Sequence, residues 1–306
     1  MQLPTRVRMG TRGSLLAVTQ AQQAAAQLMA LQPGLQVETV IIKTTGDANT
    51  ATSLSNMGGK GVFVKELEEA LITGSIDFAV HSMKDIPGVL PQELAIVCVP
   101  QREDPRDVLV SHHGSLADLP HAARTGTGSP RRAAQLLALR PDLVILDVRG
   151  NLDTRLGKLA AGDYDALVLA CAGMNRLSIN NANCHILPVS TCVPAPGQGA
   201  LAIEAHIANT AIVELLAPLN HRQSCDETTA ERAFLVAMGG GCSIPLAATC
   251  TTHGSVIDLT AVAASRDGRR ILRQTARGTA GDAAALGTDL AKSMLAQGAE
   301  ALLKEQ

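Results

Sequence analysis

Residues 6–31 read RVRMGTRGSLLAVTQAQQAAAQLMAL and set the pattern for the first half of the chain. Arg6–Met9 is predicted to form a strand and Gly10–Ser14 a loop. An amphipathic helix is predicted over Leu15–Leu31, because apolar residues recur there every three or four positions and Pro33 ends the pattern. This strand–loop–helix unit predicts an α/β fold, in which helices cover a mostly parallel sheet.

The same alternation continues through the first two thirds of the chain. Further strands are predicted at residues 37–43, 76–80, 94–99, 143–148 and 166–170, and further helices at 63–72, 131–139 and 151–161. Two charged or Pro/Gly-rich segments, 102–107 and 193–199, interrupt it. We therefore expect two α/β lobes with a cleft between them, and a chain that crosses from one lobe to the other twice.

The last third of the chain has a different pattern. A helix is predicted at 227–238, a glycine run follows, and a terminal helix is predicted at 282–303. Three strands are predicted between these helices, with a hairpin at Asp267-Gly268. The expected domains are 1–102 with 198–221 for the first lobe, 103–197 for the second, and 222–306 for a small α+β domain.

The composition excludes several classes of protein. The 306 residues carry a formal net charge of −2, which provides no strong field for nucleic acid or an anionic membrane. The single tyrosine, three phenylalanines and no tryptophan argue against base-stacking platforms. No apolar run is long enough for a membrane span and no export signal is evident, so a cytoplasmic protein is expected. Seven cysteines without a C-x-x-C pair indicate neither a disulfide framework nor a metal site.

Three segments of the first lobe could bind anions, and each has a simpler alternative. The loop 10–14 could bind an anion with Arg12 and the helix start, or be a tight turn capped by Ser14. The loop 58–61 could bring Lys60 to an anion, or be a flexible surface loop. The sequence His81–Asp85 follows a predicted strand, at the sheet edge where α/β proteins bind ligands. It could equally be a solvated turn.

The second lobe repeats this arrangement at Gly126–Arg132. Ser129 is a natural N-cap and Pro130 suits the first helical position. The two arginines in the first turn oppose the helix dipole, and a broken local rule of this kind often marks a functional site. Together with Arg149, Arg155 and Arg176 they would form a polyanion site if they converge, or a solvated basic face if they do not.

Cys242 follows three glycines and is expected to be accessible and reactive. It could be an attachment point for a covalent group. A Cys–His hydrolase is the weaker alternative, because no histidine lies nearby in the sequence.

Taken together, these segments resemble the porphobilinogen deaminase (hydroxymethylbilane synthase) family from about residue 6 to residue 303. The matching stretches are GTRGSLLA, GGKGVFVKELEEAL, AVHSMKDIP, REDPRDVLVS, GTGSPRR, RGNLDTRL, YDALVLACAGMNRL, PAPGQGAL, TAERAF and GGGCSIPL. Many segments in the same order make the resemblance specific.

The resemblance implies a transferase that condenses four porphobilinogen molecules head to tail, releasing ammonia, to form the linear tetrapyrrole hydroxymethylbilane of porphyrin and heme biosynthesis. It implies a covalent dipyrromethane cofactor, held by a thioether to Cys242. It also implies two periplasmic-binding-protein-like lobes with mixed, mostly parallel sheets, plus a small α+β C-terminal domain that carries the cysteine. The expected partner is the small-molecule substrate, with no nucleic acid or membrane, and the protein is expected to be a monomer.

Site residues follow from the positions that match the family motifs. Asp85 corresponds to the aspartate that contacts pyrrole nitrogens, and a carboxylate there would stabilise the positive charge left when ammonia departs. Cofactor binding is implied for Cys242, Ser14, Lys84, Asp85, Thr127, Ser129, Arg131, Arg132 and Gly150. Substrate carboxylates are implied to bind Arg12, Lys60, Arg149, Arg155 and Arg176. The arginines are expected to act at different stages, with Arg131 and Arg132 on the cofactor and the others on later rings.

Three positions depart from the family pattern. Asn56 stands where a lysine is usual, and Gly128 and Pro130 replace a hydroxyl residue and a leucine. Altered affinity is expected from these changes, with activity retained. The main alternative is a two-lobed anion- or solute-binding protein without catalysis, which would not need Cys242 and should carry an export signal. A cytoplasmic effector-binding regulator is less favoured, because no DNA-binding helix-turn-helix precedes the lobes.

Overall fold

The structure, a computed structural model, describes residues 3–45, 64–179, 183–240 and 244–304. The chain divides into two compact units, each built from two segments. The first unit takes residues 1–103 and 200–225, and the second takes residues 104–199 and 226–306. Asn56, Lys60 and Cys242 lie outside the described residues.

The described strands are numbered in chain order. They are β1 Arg6–Arg12, β2 Gln36–Ile42, β3 Phe78–Ser82, β4 Leu94–Cys98, β5 Asp107–Val110, β6 Arg124–Gly126, β7 Val144–Leu146, β8 Ala166–Ala170, β9 Cys184–Leu187, β10 Leu201–His206, β11 Leu246–His253, β12 Val256–Ala264 and β13 Ile271–Thr279.

The described α-helices are numbered in the same way. They are α1 Leu15–Leu31, α2 Lys65–Ile72, α3 Pro130–Leu139, α4 Leu152–Ala160, α5 Cys171–Arg176, α6 Thr210–Leu216, α7 Arg222–Ala237, α8 Ala283–Ala296 and α9 Ala299–Lys304. One of the short 3₁₀ helices, the turn Met83–Asp85, directly follows β3.

The first unit contains a five-stranded sheet in the order β2-β1-β3-β10-β4. Strands β1, β2 and β3 pair in parallel, whereas β10 is antiparallel to both of its neighbours. The helix α1 packs on one face through Leu28, against Met9, Phe78 and Ile203 of the sheet. The other face is covered by α2, whose buried residues are Leu67 and Leu71.

The second unit contains a sheet of the same design, in the order β7-β6-β8-β5-β9. Here β5 is the reversed strand, antiparallel to β8 and β9, while β6, β7 and β8 are parallel. The α3 residue Leu136 packs on one face with Leu109 and Val168. On the other face, Leu159 of α4 and Met174 of α5 pack with the remaining side chains of β5 and β8.

The second unit also contains an antiparallel sheet in the order β11-β12-β13. Phe234 of α7 and Leu290 and Met294 of α8 pack on it around Leu259. The α/β fold class with a small C-terminal α+β part is thus confirmed. The division of the chain into three domains, with the boundaries expected from the sequence, stays a prediction.

Several predicted elements differ from those observed. The predicted terminal helix is two helices, because Gly298 adopts a left-handed φ of +90° between α8 and α9. The strand predicted at 76–80 begins at Phe78 and extends to Ser82. Strand β5 begins inside the charged segment that is predicted to be a crossing, since Asp107 is buried. Burial of a charged residue in a strand is a tertiary effect that local hydrophobicity does not reveal.

Candidate active site

Asp85 lies on the 3₁₀ turn Met83–Asp85, directly after the buried strand β3. The backbone N–H of Met83 donates to the carbonyl of Ala200 at 3.0 Å, and that of Ile86 donates to the carbonyl of Met83 at 3.1 Å. These bonds attach the turn to the residue that precedes β10. The carboxylate of Asp85 is therefore held at the carboxyl end of the parallel strands, where α/β sheets commonly bind ligands.

A cavity of about 70 Å³ lies beside this turn. Its polar lining residues are Arg12, Ser14, Gln20, His81, Ser82 and Asp85. The Arg12 guanidinium NH1 is 3.8 Å from Oδ2 of Asp85, and both side chains are partly exposed. Since β1 and β3 are parallel and adjacent, the arginine at the end of one strand reaches the aspartate that follows the other.

The loop between β1 and α1 is organised by side-chain hydrogen bonds. The Ser14 hydroxyl accepts from the N–H of Ala17 at 3.3 Å, so Ser14 is the N-cap of α1. The Gln20 amide and the Ser82 hydroxyl exchange two hydrogen bonds of 3.0 and 3.1 Å, which join α1 to the end of β3. The capping role predicted for Ser14 is confirmed, and its contact with an anion stays a prediction.

The matching loop of the second unit lies between β6 and α3. Ser129 is the N-cap of α3 and accepts from the N–H of Arg132 at 3.4 Å, with Pro130 in the first turn. Thr127 is buried, and its hydroxyl accepts from the N–H of Ser129 at 3.2 Å. The strand–loop–helix arrangement predicted for this segment is confirmed.

Arg131 and Arg132 explain why two cations are tolerated at the start of a helix. Both are turned into the second unit, where they meet Asp107, whose side chain is 0% exposed. Arg131 NH1 donates to Oδ2 of Asp107 at 2.6 Å, and Arg132 donates to Oδ1 from Nε at 3.0 Å and from NH2 at 2.7 Å. The dipole penalty is outweighed by this buried ion-pair cluster.

Further hydrogen bonds hold the ion-pair cluster of Asp107, Arg131 and Arg132 in place. Arg131 NH1 also donates to the carbonyl of Val193 at 2.8 Å, and Arg132 NH1 donates to that of Val168 at 2.9 Å. The amide of Gln198 donates to Asp107 Oδ1 at 2.9 Å. Asp107 therefore connects β5, α3 and the Pro/Gly-rich segment at 193–199.

Electrostatics in the cluster keep Asp107 ionised. Burial by itself would raise the pKa of Asp107, but the charges of Arg131 and Arg132 and the hydrogen bonds outweigh it and hold the pKa well below its ordinary value. The adjacent Cys192 thiol responds in the opposite way. Burial and the Asp107 charge raise the pKa of Cys192 to about 12, so this thiol is not a nucleophile.

A second group of basic residues surrounds the turn between β7 and α4. Arg149 Nε donates to Oδ2 of Asp147 at 2.8 Å. Arg155 Nε donates to the carbonyl of Gly150 at 2.9 Å, and Gly150 has a φ of +107°, which favours glycine. Burial, and then the positive charges of Arg132 and Arg149, lower the pKa of Arg155. Arg155 is thus close enough to both Arg132 and Arg149 for their charges to act on it.

Arg176 ends α5 and donates from NH2 to the carbonyl of Gly199 at 2.7 Å. Lys84 is half-buried on the turn that carries Asp85. The structure thus brings Arg12, Ser14, Lys84 and Asp85 together in the first unit. It brings Thr127, Ser129, Arg131 and Arg132, with Arg149, Gly150 and Arg155, together in the second.

Two acids of this region are absent from the residues that the sequence singles out. Asp107 holds the paired arginines, and Asp147 holds Arg149. The signal that could have found Asp107 is the uncompensated Arg131-Arg132 pair, which demands a buried acid elsewhere in the chain. Within the described residues, no cluster of three or more His, Cys, Asp or Glu is arranged to bind a metal. Among the described helices, none is both long and apolar enough to cross a bilayer.

Comparisons with solved structures give loose similarities. One is the periplasmic aliphatic sulphonate binding protein SsuA from Escherichia coli, at 15% identity and a TM-score of 0.42, covering 77% of this chain and 71% of that chain. A likeness at this level supports neither a shared ligand nor a shared activity.

Comparisons of sequence are much stronger. The model for "porphobilinogen deaminase, dipyromethane cofactor binding domain" matches residues 7–214, and that for "porphobilinogen deaminase, C-terminal domain" matches 225–296. The porphobilinogen deaminase of Trichlorobacter lovleyi is 45% identical over 99% of this chain and 97% of that protein. The one from Syntrophotalea carbinolica is 47% identical over 97% and 95%. Because the two domain models and these relatives together span almost the whole length, the chain belongs to the porphobilinogen deaminase family.

Proposed function

We propose that this chain condenses porphobilinogen units head to tail, with loss of ammonia, into a linear tetrapyrrole. Beside the family membership, one observation carries the proposal. Arg155 is fixed by the carbonyl of Gly150 at 2.9 Å in the turn that follows Arg149, and, after burial, repulsion by the positive charges of Arg149 and Arg132 lowers its pKa. A bound polyanion would relieve this repulsion, and each pyrrole of the proposed substrate brings two carboxylates.

The same residues fit the family's dipyrromethane cofactor. Its acid side chains match the positively charged donors Arg149 and Arg155, which lie on either side of Gly150, a position whose φ of +107° favours glycine. Thr127, Ser129, Arg132 and Gly150 would hold the cofactor in the second unit, with Ser14, Lys84 and Asp85 in the first and the thioether at Cys242. When bound, the cofactor supplies the pyrrole to which substrate is joined.

Arg131 is buried, although it is assigned to the cofactor. Its side chain is 5% exposed, and both of its terminal nitrogens donate within the second unit. We propose that Arg131 donates hydrogen bonds both to Asp107 and to an acid side chain of the cofactor. Asp107 fixes the orientation of Arg131 and Arg132 for that purpose.

Asp85 is proposed to stabilise positive charge on the substrate. Loss of ammonia from the aminomethyl group leaves a cation delocalised over the pyrrole, and a carboxylate held next to it lowers the energy of that state. The same oxygens can accept hydrogen bonds from pyrrole N–H groups. Arg12, 3.8 Å away, orients the carboxylate and is proposed, with Lys60, to bind substrate acid groups.

Arg149, Arg155 and Arg176 are proposed to bind the carboxylates of incoming substrate and later rings. Arg149 uses its Nε for Asp147 and therefore presents a fixed guanidinium plane. Arg155 is similarly fixed through Nε by the carbonyl of Gly150. Planar, pre-oriented guanidiniums are suited to bidentate binding of carboxylates.

The test is the intact mass of the purified protein, with and without Cys242. The native chain should carry the mass of two pyrrole units, and Cys242→Ser should lack it. Cys184→Ser, at a half-buried cysteine of β9, is the matched control and should keep the added mass. Incubation with porphobilinogen should release ammonia and a linear tetrapyrrole. A native protein that binds porphobilinogen unchanged, and carries no added mass, would instead be a binding protein and would overturn the proposal.

We also propose that the enzyme acts as a monomer in the cytoplasm. Its formal net charge of −2 provides no strong attraction to an anionic membrane surface, which supports this placement. Light scattering on the eluted protein and fractionation of cells are the measurements that check it.

A further inference from the structure

A buried histidine–glutamate pair lies behind the Asp85 cavity. His81 is on β3 and Glu204 is on the reversed strand β10, where the register sets His81 opposite Ala202. Glu204 is therefore two residues farther along the neighbouring strand and on the same face. Nε2 of His81 is 3.1 Å from Oε2 of Glu204, and the side chains are 3% and 0% exposed.

Glu204 is unusual because its carboxyl group has so few partners. Its contact with His81 has the distance of an ion pair, but the angles are not those of a hydrogen bond, and neither oxygen is hydrogen-bonded to any described residue. A buried carboxyl group in this state is costly to maintain and is normally compensated. The pair is therefore a candidate for a functional role.

The surroundings of the pair are mostly apolar or acidic. The helix α1 contains no charged residue. On α2, burial and the nearby Glu204 charge raise the pKa of Glu68, while His81 opposes that shift. From the cavity side the charged groups are Arg12 of β1 and Asp85 of the turn, with Lys84 beside it. His81 is therefore the basic side chain that faces Glu204 within this part of the sheet.

We infer that His81, positioned by Glu204, accepts the proton that the attacked pyrrole carbon loses at each condensation. This inference rests on the proposed function. His81 lines the same cavity as Asp85, and that cavity is polar and large enough to hold water, through which a proton can pass. The carboxyl group facing Nε2 favours a proton on that nitrogen and leaves Nδ1 to accept one.

Bonds and charges balance in this step. The C–N bond of the protonated aminomethyl group breaks, and neutral ammonia leaves with the electron pair, so that the pyrrole and its methylene carbon carry the positive charge. A C–C bond forms from the attacked ring to this methylene carbon, and the C–H electron pair of the attacked carbon returns to that ring as its proton leaves. His81 takes this proton and releases it to solvent before the next condensation. Asp85 then needs only to stabilise charge.

The test compares His81→Gln and Glu204→Gln with the native enzyme, each loaded with cofactor as checked by mass. His81→Gln should lower kcat by at least about 100-fold, the usual contribution of general acid–base catalysis. The native kcat should rise with pH through the titration of the pair, because the acceptor must be unprotonated. Glu204→Gln should lower kcat and move that rise to lower pH, since removing a neighbouring anion favours the neutral imidazole.

A second measurement does not depend on turnover. Histidine-selective NMR of the native protein should show one imidazole, absent in His81→Gln, whose titration midpoint moves to lower pH in Glu204→Gln. The matched control is Glu231→Gln, since Glu231 is equally buried but bonds the N–H groups of Gly197 and Cys250 at 2.7 Å each. It should lower stability and leave the pH profile and the His81 resonance unchanged.

The outcomes separate this inference from the proposed function. A native enzyme that forms no tetrapyrrole overturns the proposed function. A native enzyme that forms it, with near-native kcat in His81→Gln or a pH profile that Glu204→Gln leaves unmoved, overturns only the proton-accepting role. If His81→Gln does not fold, the pH profile of kcat in Glu204→Gln against the native enzyme decides the question, and an unmoved profile overturns the proton-accepting role.

Discussion

The two five-stranded sheets have the same strand order and the same reversed strand, yet the buried acid on that strand is treated differently in each. On β5, Asp107 receives hydrogen bonds from two arginines and a glutamine. On β10, Glu204 faces one histidine and has no hydrogen bond to the described residues. One architecture therefore supports two kinds of carboxyl group.

The difference follows from the positions of the two acids along the reversed strand. Asp107 is the first residue of β5 and pairs with Ala170 at the carboxyl end of β8, next to the helix start that supplies the arginines. Glu204 is deeper in its sheet, opposite Ala79, where helix starts do not reach. The acid at the carboxyl end of the parallel strands is held as an anion by arginines. The acid farther inside its sheet has a histidine beside it, which can transfer a proton.

The largest expected effect is on the stability of the second unit. Asp107→Asn leaves two buried guanidiniums without their anion and should lower its free energy of unfolding by about 3–5 kcal/mol. Glu204→Gln should change the free energy of unfolding of the first unit by about 1 kcal/mol or less, because few favourable contacts are lost. Urea-dependent hydrogen exchange of amides in β8 and β3 measures the two units separately. Equal losses would contradict the contrast between the two acids.

The control for this prediction is Asp104→Asn, which weakens a partly exposed ion pair to Arg106 and should cost about 1 kcal/mol, less than the loss at the fully buried Asp107. The pH dependence gives a further check. The pKa of Asp107 is lower in the folded protein than in the unfolded chain, where it is about 3.9. Its contribution to the free energy of unfolding is therefore complete above that unfolded value and is lost as the pH falls toward the folded pKa. In Asp107→Asn, the free energy of unfolding of the second unit should fall less steeply with decreasing pH below about pH 4 than in the native protein.

The next largest effect is expected at Asp85. Asp85→Asn keeps the shape of the side chain but removes its charge, so turnover should fall by at least about 100-fold, as when an oxyanion-hole donor is removed. Steady-state kinetics with porphobilinogen measure it, with cofactor content checked by mass. Because Asp85 is 35% exposed, stability should change little. Near-native turnover would assign the charge-stabilising role to another group.

A smaller effect is expected for Arg149, which lies outside the Asp107 cluster and is compared with Arg131 inside it. Arg149→Leu removes a guanidinium–carboxylate contact and should slow elongation about tenfold to a hundredfold, while cofactor stays in place. Arg131→Leu should instead yield protein without cofactor. Native mass spectrometry after brief exposure to porphobilinogen distinguishes the two variants, with a urea titration to show that both are folded. If both variants show the same proportions of protein without cofactor, with cofactor and with added pyrroles, the arginines act together on every ring and not at separate stages.

The smallest effect is expected at Gly128, where this chain departs from the family pattern. A Cβ at this position would be 2.7 Å from Oδ1 of Asp147, the residue that holds Arg149. Gly128→Ser should therefore displace Asp147 and raise the KM for porphobilinogen a few-fold, with kcat almost unchanged. Asp147→Ser alone should raise KM by a similar factor, because it removes the same partner of Arg149. In the Asp147→Ser background, Gly128→Ser should add nothing, and a further rise in KM would show that displacement of Asp147 is not the cause.

The sequence by itself determined the local units and the chemistry they could hold. The strand at Arg6, the helix over Leu15–Leu31, the N-caps Ser14 and Ser129 and the hairpin at Asp267-Gly268 depend on neighbours a few residues away. Hydrophobic period, capping and turn chemistry therefore reveal them. From their residue types and spacing, the motifs around Asp85 and Gly126 predict either anion-binding loops or solvated turns, and anion binding there stays a prediction.

Only the tertiary structure decided which charges meet. The sequence places Arg131 and Arg132 at a helix start and predicts that they face an anionic ligand. In the structure their partner is Asp107, in a charged segment that is predicted to be a crossing between the lobes. His81 and Glu204 are brought together because β10 returns to the first sheet antiparallel to β3. Local sequence encodes hydrogen bonds within a turn or a helix. The pairing of buried charges depends on strand order and direction, which are set by long-range packing of the whole unit.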